Sequence, residues 1–130
     1  MYSIAWYQQD HILSVHLIGT VTIDDLSAVE AAVYQHLEQQ QETVHVLIDL
    51  NSASQLPLRL NALYRAVEEH PRHGTVVLFG GSHLAGMMVG WLSRLYTNKV
   101  CYAADLIQAL DFLRTKHPEL ETRLQLSAVS

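Results

Sequence analysis

Val44–Leu50 reads VHVLIDL, and this stretch decides the fold. It is short and apolar, with β-branched residues at Val44, Val46 and Ile48. Asp49 marks its far end, and the polar run Asn51, Ser52, Ala53, Ser54 follows. A strand buried on both faces has this composition, and its last residues reach the working edge of a sheet.

Moving outward, Thr75–Phe79 (TVVLF) predicts a second buried strand, and Lys99–Tyr102 a short last one. Upstream, Ser3–Tyr7 and His11–Ile18 flank Gln8–Gln9–Asp10, the pattern of a β-hairpin. Alternation in the second of these places Ile12, Ser14, His16 and Ile18 on one face and Leu13, Val15 and Leu17 on the other.

Four helices are predicted between and after these strands. Thr22 is the expected N-cap of the first, with Asp25 as its capping-box partner and Leu26, Val29, Val33 and Leu37 as its apolar stripe. Leu56–Glu69 is the second, with Pro57 in its first turn and His70–Pro71 as its stop. The third runs from about His83 to Tyr96. Asp105 caps the fourth, Gln108 is its expected capping-box partner, and Leu106, Ala109, Leu110 and Leu113 face inward. The fold class is therefore α/β: an N-terminal hairpin followed by β-α units, giving a mixed, mostly parallel sheet with four helices. Residues 1–118 form one domain and 119–130 a C-terminal tail.

The chain has 130 residues, 49% apolar and 16% charged, an ordinary globular composition with room for a core. Residues 1–58 carry seven carboxylates and no Lys or Arg, within a net charge of −5. That distribution argues against nucleic-acid binding, which requires phosphate neutralisation. No apolar run is long enough to span a membrane, and no signal peptide is visible, so a cytoplasmic location is expected. The single cysteine, Cys101, reads as a core thiol.

Eight histidines are scattered along the chain, without the spacing of a zinc motif, so no metal and no cofactor is expected. Ser52, Ser54 and Ser82 follow predicted strands, but none lies in a G-x-S-x-G turn. Asp49 could orient a histidine, although the sequence names no partner for it. Gly80–Gly81–Ser82–His83 joins a buried strand to a predicted helix start, where free amides could meet an anion.

The order of elements, LIDL at Leu47–Leu50, TVVLF and AADLIQALDFL at Ala103–Leu113 together resemble the STAS domains. The resemblance is closest to the small bacterial SpoIIAA-like (STAS/SEC14-like) proteins and covers roughly Ser3–Leu113. It implies a protein-interaction or regulatory role. In signalling members a phosphorylatable serine or threonine stands in the loop after the matching strand. Here that loop is Asn51–Asn61, NSASQLPLRLN, and Leu56–Pro57–Leu58–Arg59 replaces the phosphoswitch cluster.

The sequence thus leads to a non-catalytic interaction or regulatory module without a phosphorylation switch, with a protein partner or a homo-oligomer. A small apolar or anionic ligand at loops 51–58 and 80–83 is the alternative, and an unconventional hydrolase the third reading. The expected binding residues are Asp49, Asn51, Ser52, Ser54, Leu56, Leu58, Arg59, Gly80, Gly81, Ser82 and His83.

Overall fold

A computed structural model describes residues 1–57, 71–84 and 100–120. Strands β1 (Tyr2–Gln8), β2 (Ile12–Leu17), β4 (Val44–Asp49), β6 (His73–Phe79) and β7 (Val100–Ala103) form a five-stranded sheet in the order β1-β2-β4-β6-β7. The hairpin pair β1/β2 is antiparallel and the other neighbours are parallel. Asp10 adopts a left-handed φ of 67° in the hairpin turn, a conformation Asp tolerates better than most residues.

A second, two-stranded parallel sheet pairs β3 (Gly19–Thr20) with β5 (Ala53–Gln55). The sequence reading placed both segments in loops. Two and three residues are too few to carry a recognisable period, and backbone bonds from Gly19 to Ser52 and from Val21 to Gln55 hold the pair.

Two helices are present among the described residues, α1 (Ile23–Glu38) and α2 (Leu106–Lys116). The second predicted helix falls almost wholly on residues 58–70, and the third on residues 85–99, both outside the described residues. Leu56 and Pro57 lie in no helix, and the predicted start of the third helix is a 3₁₀ turn, Ser82–Leu84.

The sheet separates two apolar layers, and strand alternation assigns side chains to each. Leu13, Val15, Leu17, Val44, Val46, Ile48, Val76 and Leu78 pack with Leu26, Val29, Val33 and Leu37 of α1. Ile12, Leu47, Val77, Phe79 and Ala103 pack with Ala109, Leu110 and Leu113 of α2. The α2 helix lies on β6 and β7. On that same side of β1, Ser3, Ala5 and Tyr7 remain exposed.

Both predicted N-caps form. Thr22 accepts the Asp25 amide through its hydroxyl at 3.1 Å, and Asp25 accepts the Thr22 amide at 3.0 Å. The latter bond is the main cause holding the Asp25 carboxyl below its usual range. Thr22→Ala is expected to destabilise the fold by about 1 kcal/mol, measured by urea unfolding. At α2, Asp105 accepts the Gln108 amide at 2.9 Å, but the Gln108 side chain takes the amide of Ala104 at 3.2 Å. The reciprocal bond has moved one residue upstream of a capping box.

Candidate functional site

Parallel pairing of β2 with β4 sets His16 opposite Asp49. His16 Nδ1 lies 3.0 Å from Asp49 Oδ2, and His16 Nε2 lies 3.2 Å from Ser14 Oγ. An ionised Asp49 is an acceptor only, so Nδ1–H donates to it, and the neutral ring then presents the Nε2 lone pair to the Ser14 hydroxyl. The other Asp49 oxygen accepts the Asn51 amide at 2.8 Å, which fixes the carboxylate as the strand ends. Ser14 and His16 share a face because they stand two residues apart on one strand.

This chain of bonds lines a groove of about 550 Å³. Tyr7, Asn51, Phe79, Asp105, Leu106 and Ile107 complete the lining among the described residues. Apolar surface from Phe79, Leu106 and Ile107 faces a polar floor. Ser14 is 8% exposed, whereas Ile107 at the rim is 71% exposed. Two carboxylates, Asp49 and Asp105, line the groove, and no Lys or Arg does so among the described residues.

Of the sequence-predicted binding residues, Asp49 and Asn51 line this groove. Ser52 and Ser54 are exposed beside it in chain order, and Ser54 lies within β5. Leu56 is buried at 6% exposure in the α1-side core and does not present an open apolar edge. Leu58 and Arg59 lie outside the described residues.

The Gly80–His83 segment packs against Asn51 and the end of β7. Gly80 and Gly81 take left-handed φ values of 79° and 61°, which glycine adopts without cost from a Cβ. A Cβ at Gly80 would collide with the Asn51 side chain. The Gly80 amide donates to Ala103 O, the Gly81 amide to Asn51 Oδ1 at 3.4 Å, and the Leu84 amide to Gly81 O at 2.7 Å. Tyr102 donates its hydroxyl to Gly80 O at 2.6 Å. The Gly80 and Gly81 amides are therefore spent inside the protein, and the Gly81 bond ties Asn51 to the segment that follows β6. Ser82 and His83 are exposed, and the His83 ring bonds Ala53 O at 2.8 Å.

A second polar cluster sits at the opposite end of α2. His73 belongs to buried β6. His45 Nδ1 accepts the Thr75 amide at 3.0 Å, and Thr75 Oγ1 lies 2.8 Å from His117 Nε2. The two imidazole rings are 4.1 Å apart, and Glu119 stands 3.6 Å from His117 Nδ1. His45, His117 and Glu119 are close enough to bracket a cation. However, an Nδ1 that accepts an amide proton places the neutral ring's own proton on Nε2, leaving no lone pair for a metal. Burial pushes the His45 pKa down to about 4, consistent with a neutral ring. Cys101 is half-buried, and burial pushes its thiol up to about 11, so it is a core thiol, as read from the sequence.

No family model matches the chain, and no curated protein matches it. The fold has a solved counterpart: an uncharacterized protein of the DUF3478 family, with a SpoIIAA-like fold, from Shewanella loihica PV-4. The two superimpose with a TM-score of 0.58 over 87% of this chain and 92% of that one, at 20% identity. The class is thus a mixed α/β domain with a mostly parallel sheet, and the fold is STAS/SpoIIAA-like. No helix among the described residues is long and apolar enough to cross a membrane.

Proposed function

We propose that this chain is a STAS-like binding module that holds a small, uncharged amphipathic ligand at the edge where β2 and β4 end. The observation that carries this reading is the groove itself. It combines an apolar wall (Phe79, Leu106, Ile107) with a polar floor (Ser14, His16, Asp49). Ligand sites of this size usually pair a largely apolar lining with a few placed polar groups. Loops after parallel strands are also where such folds place ligands.

The groove's chemistry narrows the ligand. Asp49 and Asp105 oppose an anionic head in this groove. A carbonyl or hydroxyl head attached to a short apolar body fits both walls. A regulatory role would follow if a partner reads the occupied edge, and exposed Tyr7 and Ile107 are available for that contact.

Hexanamide is a suitable probe, having a carbonyl head, a short tail and no charge. Titration followed by amide NMR is expected to shift Ser14, His16, Leu106 and Ile107 together. Ile107→Asp should weaken binding by roughly tenfold or more, since it places a charge against the apolar tail. Ile107 is largely exposed, so this substitution should leave the fold intact. Shifts scattered over the surface, or affinity unchanged in Ile107→Asp, would refute the assignment.

A further inference from the structure

We propose that Ser14 is an acyl-accepting nucleophile and that the groove hydrolyses esters of small apolar acids. The proposal rests on the groove being a ligand site, and it adds chemistry to that site. Three side chains from two strands are ordered as nucleophile, base and orienting acid. Ser14 Oγ meets His16 Nε2 at 3.2 Å, and His16 Nδ1 meets Asp49 Oδ2 at 3.0 Å. This is the geometry by which a weak hydroxyl nucleophile is activated. It uses the correct ring nitrogen for each role, because the Asp49 bond leaves the Nε2 lone pair on the serine side.

The supporting frame is rigid. Ser14 and His16 are held in β2 between β1 and β4, and Asp49 closes the β4 register opposite His16. Asp49 is itself held by the Asn51 amide at 2.8 Å. The Asn51 side chain is packed over Gly80 and accepts the Gly81 amide. A site built on strands keeps its geometry better than one built on loops. Ser14 is nearly buried, yet it lines the groove, so an ester entering along Leu106 and Ile107 would reach its hydroxyl.

The reaction balances with water alone. Ser14 Oγ bonds the acyl carbon as its proton passes to His16 Nε2, and the carbonyl π pair moves onto oxygen. When the tetrahedral adduct collapses, the C–O bond to the alcohol breaks, and the leaving oxygen takes the proton from Nε2. The products of this half are the alcohol and an acylated Ser14. Water then attacks the acyl carbon and gives a proton to Nε2, the carboxylic acid departs, and Ser14 Oγ recovers that proton. Among the lining groups, the Asn51 carboxamide and the Tyr7 hydroxyl are the donors available to the oxyanion. Asp49 is a positioning residue, because it acts through His16.

The test uses the intact chain with p-nitrophenyl butyrate as substrate and diisopropyl fluorophosphate as covalent probe. Peptide mass spectrometry is expected to find the phosphoryl group on Ser14, and butyrate hydrolysis should stop after labelling. Ser14→Ala and His16→Ala should each lose about 100-fold or more in kcat. Asp49→Asn should lower kcat with KM little changed. Hexanamide titration of the wild-type chain by amide NMR reports the ligand site independently, so a protein that binds hexanamide but neither hydrolyses butyrate nor takes the label on Ser14 loses the hydrolase assignment alone. Absence of label on Ser14 in folded wild-type protein, or hydrolysis by Ser14→Ala at the wild-type rate, would overturn the proposal and leave the three residues as a structural hydrogen-bond chain.

Discussion

Leu47→Ala is expected to lower the unfolding free energy by about 3–4 kcal/mol, within the range measured for buried leucines elsewhere. Leu47 is 1% exposed and sits in the middle of β4, with β2 on one side and β6 on the other. Its side chain belongs to the layer formed by Ile12, Val77, Phe79, Leu110 and Leu113. Both neighbouring strands are fixed by parallel ladders, so the surrounding chain has little freedom to collapse into the vacated space. The loss is therefore the transfer free energy of the removed carbons together with an unfilled cavity. For a domain whose total stability is about 5–15 kcal/mol, this is a large fraction. In urea, the midpoint should fall while the slope with denaturant stays constant. Ile107→Ala is the matched control, since Ile107 is exposed and should change stability by less than about 0.5 kcal/mol. A Leu47→Ala protein within 1 kcal/mol of the parent would mean that β4 is not the rigid centre of the sheet.

That strand was legible because its pattern is local. VHVLIDL needs no knowledge of its neighbours to read as a buried strand, and the stripe Leu26, Val29, Val33, Leu37 likewise announces one face of a helix. The alternation that set Ser14 and His16 on one face was readable for the same reason. What the sequence could not supply was register. Asp49 was visible as a strand-end residue that could orient a histidine, and the histidine is His16, 33 positions earlier in the chain. Their meeting depends on how far β2 slides along β4, which is set by α1 and its two connections. A slip of one residue would turn His16 away from Asp49.

The same argument covers the second cluster. Nothing local joins Thr75 to His117, 42 residues later, until α2 runs back along the sheet from the strand ends to the strand starts. Gly80 and Gly81 were legible as a special backbone segment, but their use was not. The decisive contact is with Asn51, and it required knowing that the β4 and β6 ends lie side by side. Leu56, expected among the binding residues, is buried in the α1-side core, and an apolar residue before a proline carries no sign of which way it faces. One helix, α2, therefore has a polar cluster at each end: the groove at its N-terminus and paired histidines at its C-terminus.

Between about pH 6.5 and about pH 4, His45 alone is expected to remove about 3 kcal/mol of stability, from its shift to about 4 and about 1.36 kcal/mol per pH unit. Burial is the leading cause of that shift, followed by the neighbouring His117, with His73, His11 and Lys116 acting in the same direction. The sign follows from the proton count. In the unfolded chain His45 takes up a proton near its ordinary value, whereas in the fold it stays neutral until about pH 4. Throughout that window the unfolded state holds more protons, so acidification favours unfolding, and the full stabilisation is present above about pH 6.5. Geometry gives the physical reason. A proton on Nδ1 would face the Thr75 amide, itself a donor 3.0 Å away. The ring packs on the Gly74 backbone so closely that a Cβ at Gly74 would overlap its atoms. His117 is also pushed down by burial and adds to the trend, while Glu119 beside it works in the opposite direction. Arg72 and Glu42 line the adjacent surface. His45→Asn separates this effect from carboxylate titration elsewhere, since its Oδ1 can accept the Thr75 amide but does not gain a proton in this range. Urea unfolding from about pH 7.5 down to about pH 4.5 should give a steep decline for the parent and a flatter one for His45→Asn. Parallel stability profiles for the two proteins would show that His45 is already charged in the fold and that the neutral-ring assignment is wrong.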